Sequence, residues 1–351
     1  MFQLSSVLLC SQITLYEMEC KNTKFCDPIR TRGKNVRFFE VINSSAVQPG
    51  YTDVMVQRDQ FNPARFFVDI LQYYNMHKSP QSHVLDNGCS TTGEQTYYMA
   101  NKIAGSLVGL NVVTNAFSNT GFPFETVKFS KNSQIYALTD GNGLPFKKNM
   151  FSGVFSQNIM EHVLTPEEYI SESIRVLKKD GILYMYWAPL WSGPSGHHLQ
   201  TAIGKTWDEK YNDNWEFIPK WGHLYMSEEE LKEYWKNKGL NDEFIKKGSD
   251  WIFHSNVLNR LKWSQIHQIL KNRTDSQIVF YKCSGHHDGE ELEFALKKTG
   301  YSKKDLSYQH CIYVLKKSTT NIKHEEKRDI CVMTNFVFWQ PIEIIQSQCI
   351  S

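Results

Sequence analysis

The stretch Val84-Leu85-Asp86-Asn87-Gly88-Cys89-Ser90-Thr91-Thr92-Gly93-Glu94 leaves a short apolar run, turns on small residues and enters a segment of helical character. Small residues at such a turn let backbone N–H groups come close to a ligand, and a helix N-terminus favours a negatively charged group such as a carboxylate. The texture on either side supports this reading. From Ser82 onward, short apolar runs at His83–Asp86, Ser106–Val113, Gln134–Leu138, Gly153–Ser156 and Gly181–Ala188 alternate with helical or loop segments. That alternation predicts a doubly wound α/β domain whose mostly parallel sheet is covered on both faces.

Helix signals fill the spaces. Thr165, Pro166 and Glu168 predict a capped start for a helix whose stripe is Ile170, Ile174 and Leu177, with Lys178 and Lys179 near its negative end and Gly181 as its stop. Ser227 and Glu230 repeat the capping box ahead of Leu231, Tyr234 and Trp235. Before the sheet, Pro63–Tyr74 places Phe66, Phe67, Ile70, Leu71 and Tyr74 on one helical face, and after it Trp251–Leu270 reads as helix. Gln277–Cys283 and Gln309–Leu315 read as strands, and Lys316–Arg328 as a charged stretch. Pro189–Met226 carries Pro, Gly, Trp and His without a period, and a long loop within a compact domain is usually functional. The expected organisation is an N-terminal helical or irregular extension over 1–80, the main domain over 81–317 with a substrate-side insertion at 189–275, and a C-terminal tail over 318–351.

Composition narrows the function classes. The chain has 351 residues and 41% hydrophobic content, enough for a packed core. With 39 Lys and Arg against 37 Asp and Glu, the net charge is +2, so neither nucleic acid nor an anionic membrane is an expected partner. Phe2–Cys10 lacks a basic flank and is too short to span a bilayer; the cytosol is the expected compartment. Cys10, Cys20, Cys26, Cys89, Cys283, Cys311, Cys331 and Cys349 show no metal-ligand spacing and read as free, reduced thiols.

The turn at Val84–Glu94 fits an imperfect dinucleotide fingerprint, Gly88-x-Ser90-x-x-Gly93, as well as other nucleoside cofactors, so later landmarks must arbitrate. The second run ends at Leu110-Asn111. The third ends at Thr139-Asp140-Gly141-Asn142-Gly143-Leu144-Pro145-Phe146, and the fourth leads into Ser156-Gln157-Asn158-Ile159-Met160-Glu161-His162-Val163. In these landmarks the chain resembles the class I S-adenosylmethionine-dependent methyltransferases, in the branch with an Asp-Ala-x-x-Leu-Pro-Phe-like turn and a Glu-His-Val-like turn. The resemblance covers Ser82–Ala188 well and the remainder loosely. It implies a Rossmann-like fold with a seven-stranded sheet and S-adenosylmethionine as cofactor. By it, Asp86, Gly88, Ser90 and Gly93 meet the methionyl part, Asn111 faces the ribose, Asp140 and Gly141 hold the adenine, and Gln157 lines the methyl-donor end. The chain departs from the family pattern at Ser90 and Thr92, which replace glycines, at Asn111, which replaces an acid, and at Ser152, where an Asp is common.

On the acceptor side, methyl transfer needs alignment of a nucleophile and, for a hydroxyl, a base. His198 is the first candidate, with His162 and His223 beside it. Trp187, Trp191 and His197 are candidates for holding substrate, and Trp221 is a third ring that could join the wall or pack in the core. A metal held by His197, His198 and His223 is not expected, because adjacent loop histidines seldom reach one ion. The expected function is methyl transfer to oxygen on a small molecule, with sugar-containing acceptors included and a homodimer as the candidate assembly. The alternatives are a methyltransferase-like binding protein without catalysis, a nicotinamide-dependent oxidoreductase, and a methyltransferase acting on protein or nucleic acid.

Overall fold

The structure, a computed structural model, describes residues 14–18, 24, 27–31, 37–42, 62–89, 94–100, 102–112, 134–139, 143–199, 217–285 and 289–318. Ser90, Gly93, Asp140 and Gly141 lie outside the described residues, as do 200–216 and the tail from 319. The chain divides into two units. The first comprises Met1–Ser156, Glu172–Leu183 and Met333–Ser351, and the second Gln157–Ser171 and Tyr184–Val332.

The first unit holds β1 (Thr14–Met18), α1 (Pro28–Thr31), β2 (Arg37–Ile42), α2 (Pro63–Tyr73), β3 (Val84–Asn87), α3 (Glu94–Ala100), β4 (Leu107–Val112), β5 (Gln134–Thr139) and most of β6 (Phe151–Gln157). It also contains the end of α4 (Pro166–Val176) and the start of β7 (Leu177–Trp187). Strand order within it is β1-β2-β5-β4-β3-β6-β7. Pairing is parallel for β3 with β4 and β6 and for β4 with β5, and antiparallel for β1 with β2 and β2 with β5. β3 is buried along its whole length, as an apolar strand covered on both faces should be.

Helix α2 forms where its apolar stripe was expected. Asn62 caps it, its side chain accepting from the Arg65 N–H at 2.9 Å, and Pro63 stands in the first turn. Phe67 is fully buried and lies against Phe155, ring centroids 5.5 Å apart. Gly153 makes this packing possible, because a Cβ there would stand 2.7 Å from Phe67 Cζ.

In the second unit β7 continues and the strand order is β7-β9-β8, with β8 (Ser276–Ser284) antiparallel to β9 (His310–Lys317). Around it lie α5 (Gly222–Tyr225), α6 (Glu228–Asn237), α7 (Asp242–Ser249), α8 (Trp263–Lys271), α9 (Glu290–Thr299) and α10 (Lys303–Ser307). The capping box at Ser227 and Glu230 is formed in both directions. A cluster of Leu199, Ile218, Leu231, Trp235, Ile245 and Ile252 forms the core of this helical part.

Strands β3 to β9 are the seven of the expected sheet, but the sheet has nine. The two additional strands, β1 and β2, come from the segment read as helical or irregular. Each is five or six residues long, and β2 joins the sheet through β5, about a hundred residues further on, so local periodicity does not show them. The single helix expected over Trp251–Leu270 is broken. A π-helical turn at Asp250–His254 extends α7, and the chain then leaves the helix through a turn at Asn256–Val257 before α8. Arg260 explains the break: its φ is 55°, and its guanidinium takes the carbonyls of Ile252 (2.9 Å) and Ser255 (2.8 Å), which a continuing helix would have used. At the end of α4 the left-handed residue is Asp180 (φ 61°), one position before the expected stop at Gly181.

The expectation of free thiols fails at one pair. Cys283 and Cys311 face each other in the β8/β9 ladder and are joined in a disulfide, Cα–Cα 4.2 Å. Antiparallel register brings them together, a relation that spacing in the sequence does not reveal. Among the described residues Cys89 is a buried cysteine outside that disulfide, and no helix is long and apolar enough to cross a membrane.

Candidate active site

The first unit contains the small-residue turn after β3. Asp86 is buried, and its carboxyl accepts a short hydrogen bond from the Thr96 hydroxyl on α3, which ties the helix to the strand across the turn. Burial pushes this carboxyl up to about 7, against the Thr96 bond. Asn87 donates to Ser173 at 3.4 Å. Gly88 has φ 110°, a backbone conformation that favours glycine. The N–H groups of Gly88 and Cys89 both go to the Leu110 carbonyl, at 2.9 and 3.0 Å. Those two donors are therefore committed to β4, and a cofactor carboxylate must find its donors elsewhere. The backbone of Asn111 lies in β4, at the strand end where a ribose-binding side chain is expected.

The Leu144–Phe146 part of the turn after β5 is clamped in the same unit. Arg175 donates to the carbonyls of Phe146 (2.8 Å) and Leu144 (3.1 Å) and to both oxygens of Glu172 (2.9 and 3.1 Å). Glu172 in turn accepts from the Leu144 N–H at 3.1 Å and from Arg30 at 2.7 Å. Each polar group of the clamp has a partner, so the turn is held in one geometry.

The second unit contains the histidines. Residues 157–163 follow β6 as a turn and a short 3-10 helix, Met160–His162. Asn259 pins it, its side-chain amide donating to the carbonyls of Met160 (2.6 Å) and Val163 (3.1 Å). His162 Nδ1 lies 2.9 Å from the Val257 carbonyl, which can only accept; Nδ1 therefore carries the proton and Nε2 the lone pair. By the same reasoning His198 Nε2, 3.0 Å from the Pro189 carbonyl, is the protonated nitrogen and Nδ1 bears the lone pair. The two rings meet edge to face at 5.3 Å. His197 Nδ1 accepts from the Leu199 N–H at 3.0 Å, and its own carbonyl accepts from Trp251 Nε1 at 2.9 Å. His223 Nε2 donates to the Trp191 carbonyl at 2.8 Å. Burial lowers His162, takes His197 well below the usual histidine range and brings His223 down to about 4, so these three are neutral at pH 7.

The loop carrying His197 and His198 is folded tightly. Gly193 donates to Leu190, Gly196 to Gly193, and a Cβ on Gly196 would meet the Trp191 carbonyl at 2.2 Å, so only glycine fits there. Trp191 contacts His223 edge on at 4.7 Å, with the Arg260 guanidinium 5.6 Å from its ring. Trp187 and Trp221 are core residues. Trp187 is 1% exposed and stacks on Tyr313, and Trp221 is fully buried with its indole N–H on the Leu306 carbonyl. Among the described residues no group of acids, cysteines and histidines is arranged to hold a metal.

The structure therefore brings His162 and His198 together, places His197 beside His223, and withdraws Trp187 into the core. Sequence reasoning passed over Glu161, Asn259 and Arg260. Glu161 is 4% exposed, and neither carboxyl oxygen has a hydrogen-bond partner. Burial pushes the carboxyl up to about 8, outweighing the nearby backbone N–H groups of Glu161 and Ala188, which act to lower it. Gln157 Oε1 and Asn158 Oδ1, in the same turn, are also buried without partners. The signal for Glu161 was its place in the Glu-His-Val turn, but only burial sets it apart from any other loop acid.

Comparison with known proteins bears on the same stretch. Residues 85–185 match a family model described as a methyltransferase domain. No curated protein matches the chain. Similar solved structures include the MccD protein (15% identity, 72% of this chain and 96% of that chain, TM-score 0.36). The geranyl diphosphate C-methyltransferase from Streptomyces coelicolor A3(2) shows 12% identity over 72% of this chain and 77% of that chain, TM-score 0.40. The plantazolicin methyltransferase BpumL shows 15% identity over 77% of this chain and 92% of that chain, TM-score 0.38. At such low scores these are likenesses and nothing more. The family match spans β3 to β7, including the turns after β3, β5 and β6 on which the resemblance rests. Residues 85–185 are therefore similar to a methyltransferase domain, the stretch in which the resemblance to the S-adenosylmethionine-dependent enzymes lies.

Proposed function

We propose that the protein methylates an oxygen of a small-molecule acceptor, with His198 as general base and the loop from Pro189 to Met226 as the acceptor side. The observation that carries this is the paired setting of His198 and His162. Each ring has one nitrogen fixed as a donor by a backbone carbonyl, which leaves the other as a proton acceptor. S-adenosylmethionine supplies an activated methyl group on its sulfonium. His198 Nδ1 would take the proton that the acceptor hydroxyl gives up on methylation. The chain's work is otherwise alignment and exclusion of water. His162 and His223 are the supporting histidines, with Trp191 and His197 on the acceptor side.

Toward the cofactor, the residues present fit. Asp86 and Gly88 shape the first turn, and the unpartnered Gln157 Oε1 is a buried acceptor at the end of β6. Ser90, Gly93, Asn111, Asp140 and Gly141 complete the proposed set. The proposed acceptor is a free small molecule, sugars included, and the proposed assembly a homodimer. The cytosol is the proposed compartment on composition, although the Cys283–Cys311 pairing argues for a less reducing one.

The test is His198→Ala, assayed by release of S-adenosylhomocysteine and by titration with S-adenosylmethionine. A base role gives a fall in kcat of roughly 100-fold or more with cofactor affinity unchanged. Equal losses in both would contradict it.

A further inference from the structure

The turn after β6 is short of donors. Within residues 157–161, Gln157 Oε1, Asn158 Oδ1 and both oxygens of Glu161 are buried acceptors with no hydrogen-bond partner. Buried polar groups in folded proteins are almost always paired, so a run of unpaired acceptors in one turn marks a place that a bound group completes. Glu161 also lies near the Ala188 N–H, and the next residue, Pro189, holds the His198 ring through its carbonyl. The unpaired carboxyl and the proposed base thus lie beside adjacent residues, Ala188 and Pro189, just past the carboxyl end of β7, the edge where ligands bind in open α/β sheets.

A partner for this turn must bring several donors and little acceptor capacity. A hydroxyl brings one donor and two lone pairs. A protonated amine brings three donors, no lone pair and the charge that a buried carboxylate lacks. We propose that Glu161 is a specificity-determining residue that receives a protonated amine on the methyl acceptor, with Gln157 and Asn158 supplying further acceptors. The acceptor is then an amino-bearing hydroxyl compound, such as a hydroxylated aryl amine or an amino sugar. The proposal rests on the reading of His198 and its loop as the acceptor side. Burial pushes the Glu161 carboxyl up, which agrees with a group that ionises when an ammonium arrives and is neutral in its absence.

The experiment uses the full chain saturated with S-adenosylhomocysteine and two matched pairs of probes, tyramine with tyrosol and glucosamine with glucose. Within each pair the amino group of one member stands where the other has a hydroxyl, and the remaining hydroxyls are the same. Calorimetric titration of the wild type is expected to show at least tenfold tighter binding of the amino member in at least one pair. Glu161→Gln is expected to abolish that preference while leaving S-adenosylmethionine affinity unchanged. Equal binding within both pairs, no binding of either amine, or a preference that survives in Glu161→Gln overturns the proposal. A parallel loss of S-adenosylmethionine affinity in Glu161→Gln also overturns it, because Glu161 then serves the cofactor's own ammonium. The wild-type preference decides the matter if the variant does not fold. Failure of the base reading shows separately, as retained turnover in His198→Ala.

Discussion

Two turns at strand ends are built on opposite plans. After β3, in the first unit, the turn from Asp86 to Cys89 contains no buried side-chain nitrogen or oxygen without a partner. Asp86 is tied to Thr96, Asn87 reaches Ser173, and the Gly88 and Cys89 N–H groups share the Leu110 carbonyl. After β6, in the second unit, four side-chain acceptors between Gln157 and Glu161 are left bare. Each unpaired buried polar group costs on the order of 1–3 kcal/mol, so the second turn is maintained against a penalty that the first avoids. A turn with its polar groups satisfied internally is a frame. A turn with them exposed to nothing is a socket, and of these two turns the latter bears the cost.

The contrast breaks most severely if the frame can be loosened without cost. Phe67→Ala removes a fully buried ring from the α2 face that Gly153 admits, and should cost about 3–5 kcal/mol in denaturant-induced unfolding. A loss under ~1 kcal/mol would mean that α2 is not part of the frame.

A pH test addresses the socket. Glu161 is raised to about 8 from 4.5, so its neutral form favours folding. Its contribution is full below about pH 4.5 and is lost as pH rises toward 8. His223, lowered to about 4 from 6.5, acts in the opposite sense and destabilises as pH falls through 6.5. The two partly cancel in the wild-type profile, so the informative quantity is the difference from Glu161→Gln. A tenfold change in proton affinity is worth about 1.4 kcal/mol, so the variant should be more stable than the wild type at pH 8 by roughly a few kcal/mol, with the gap closing by pH 4.5. Melting temperatures across that range read it. A gap that does not change with pH would remove the unpaired carboxyl from the account.

Arg175→Ala should cost about 2–4 kcal/mol, since it strands the carbonyls of Leu144 and Phe146 and takes one of three donors from the Glu172 carboxylate. Chemical denaturation reads it directly, and its effect on acceptor binding should be small. The mildest change is Ser227→Ala, which removes one half of a helix cap and should cost about 1 kcal/mol.

Much of the frame was legible because its signals are local. The buried runs of β3 and β6, the stripe of α2 and the Ser227–Glu230 box each follow from residues adjacent in sequence. β1 and β2 were not legible, because pairing such as Arg37 opposite Leu138 is a long-range event. The same holds for the disulfide, which depends on Cys283 standing opposite Cys311. At the site, the histidine loop was visible as an aperiodic stretch, but Trp187 could not be told from a wall residue until its stacking on Tyr313 placed it in the core. Glu161 stood in a motif without a role. Its distinguishing property is the absence of a partner, which only the folded arrangement of Gln157–Val163 and Ala188 can produce.

Calorimetric titration of wild-type protein and Glu161→Gln with S-adenosylmethionine tests the division of labour most directly. Saturable binding with the same affinity in both is expected, because Glu161 is kept for the acceptor and the cofactor does not rely on it. No binding at millimolar cofactor, or a tenfold weaker affinity in the variant, would contradict it.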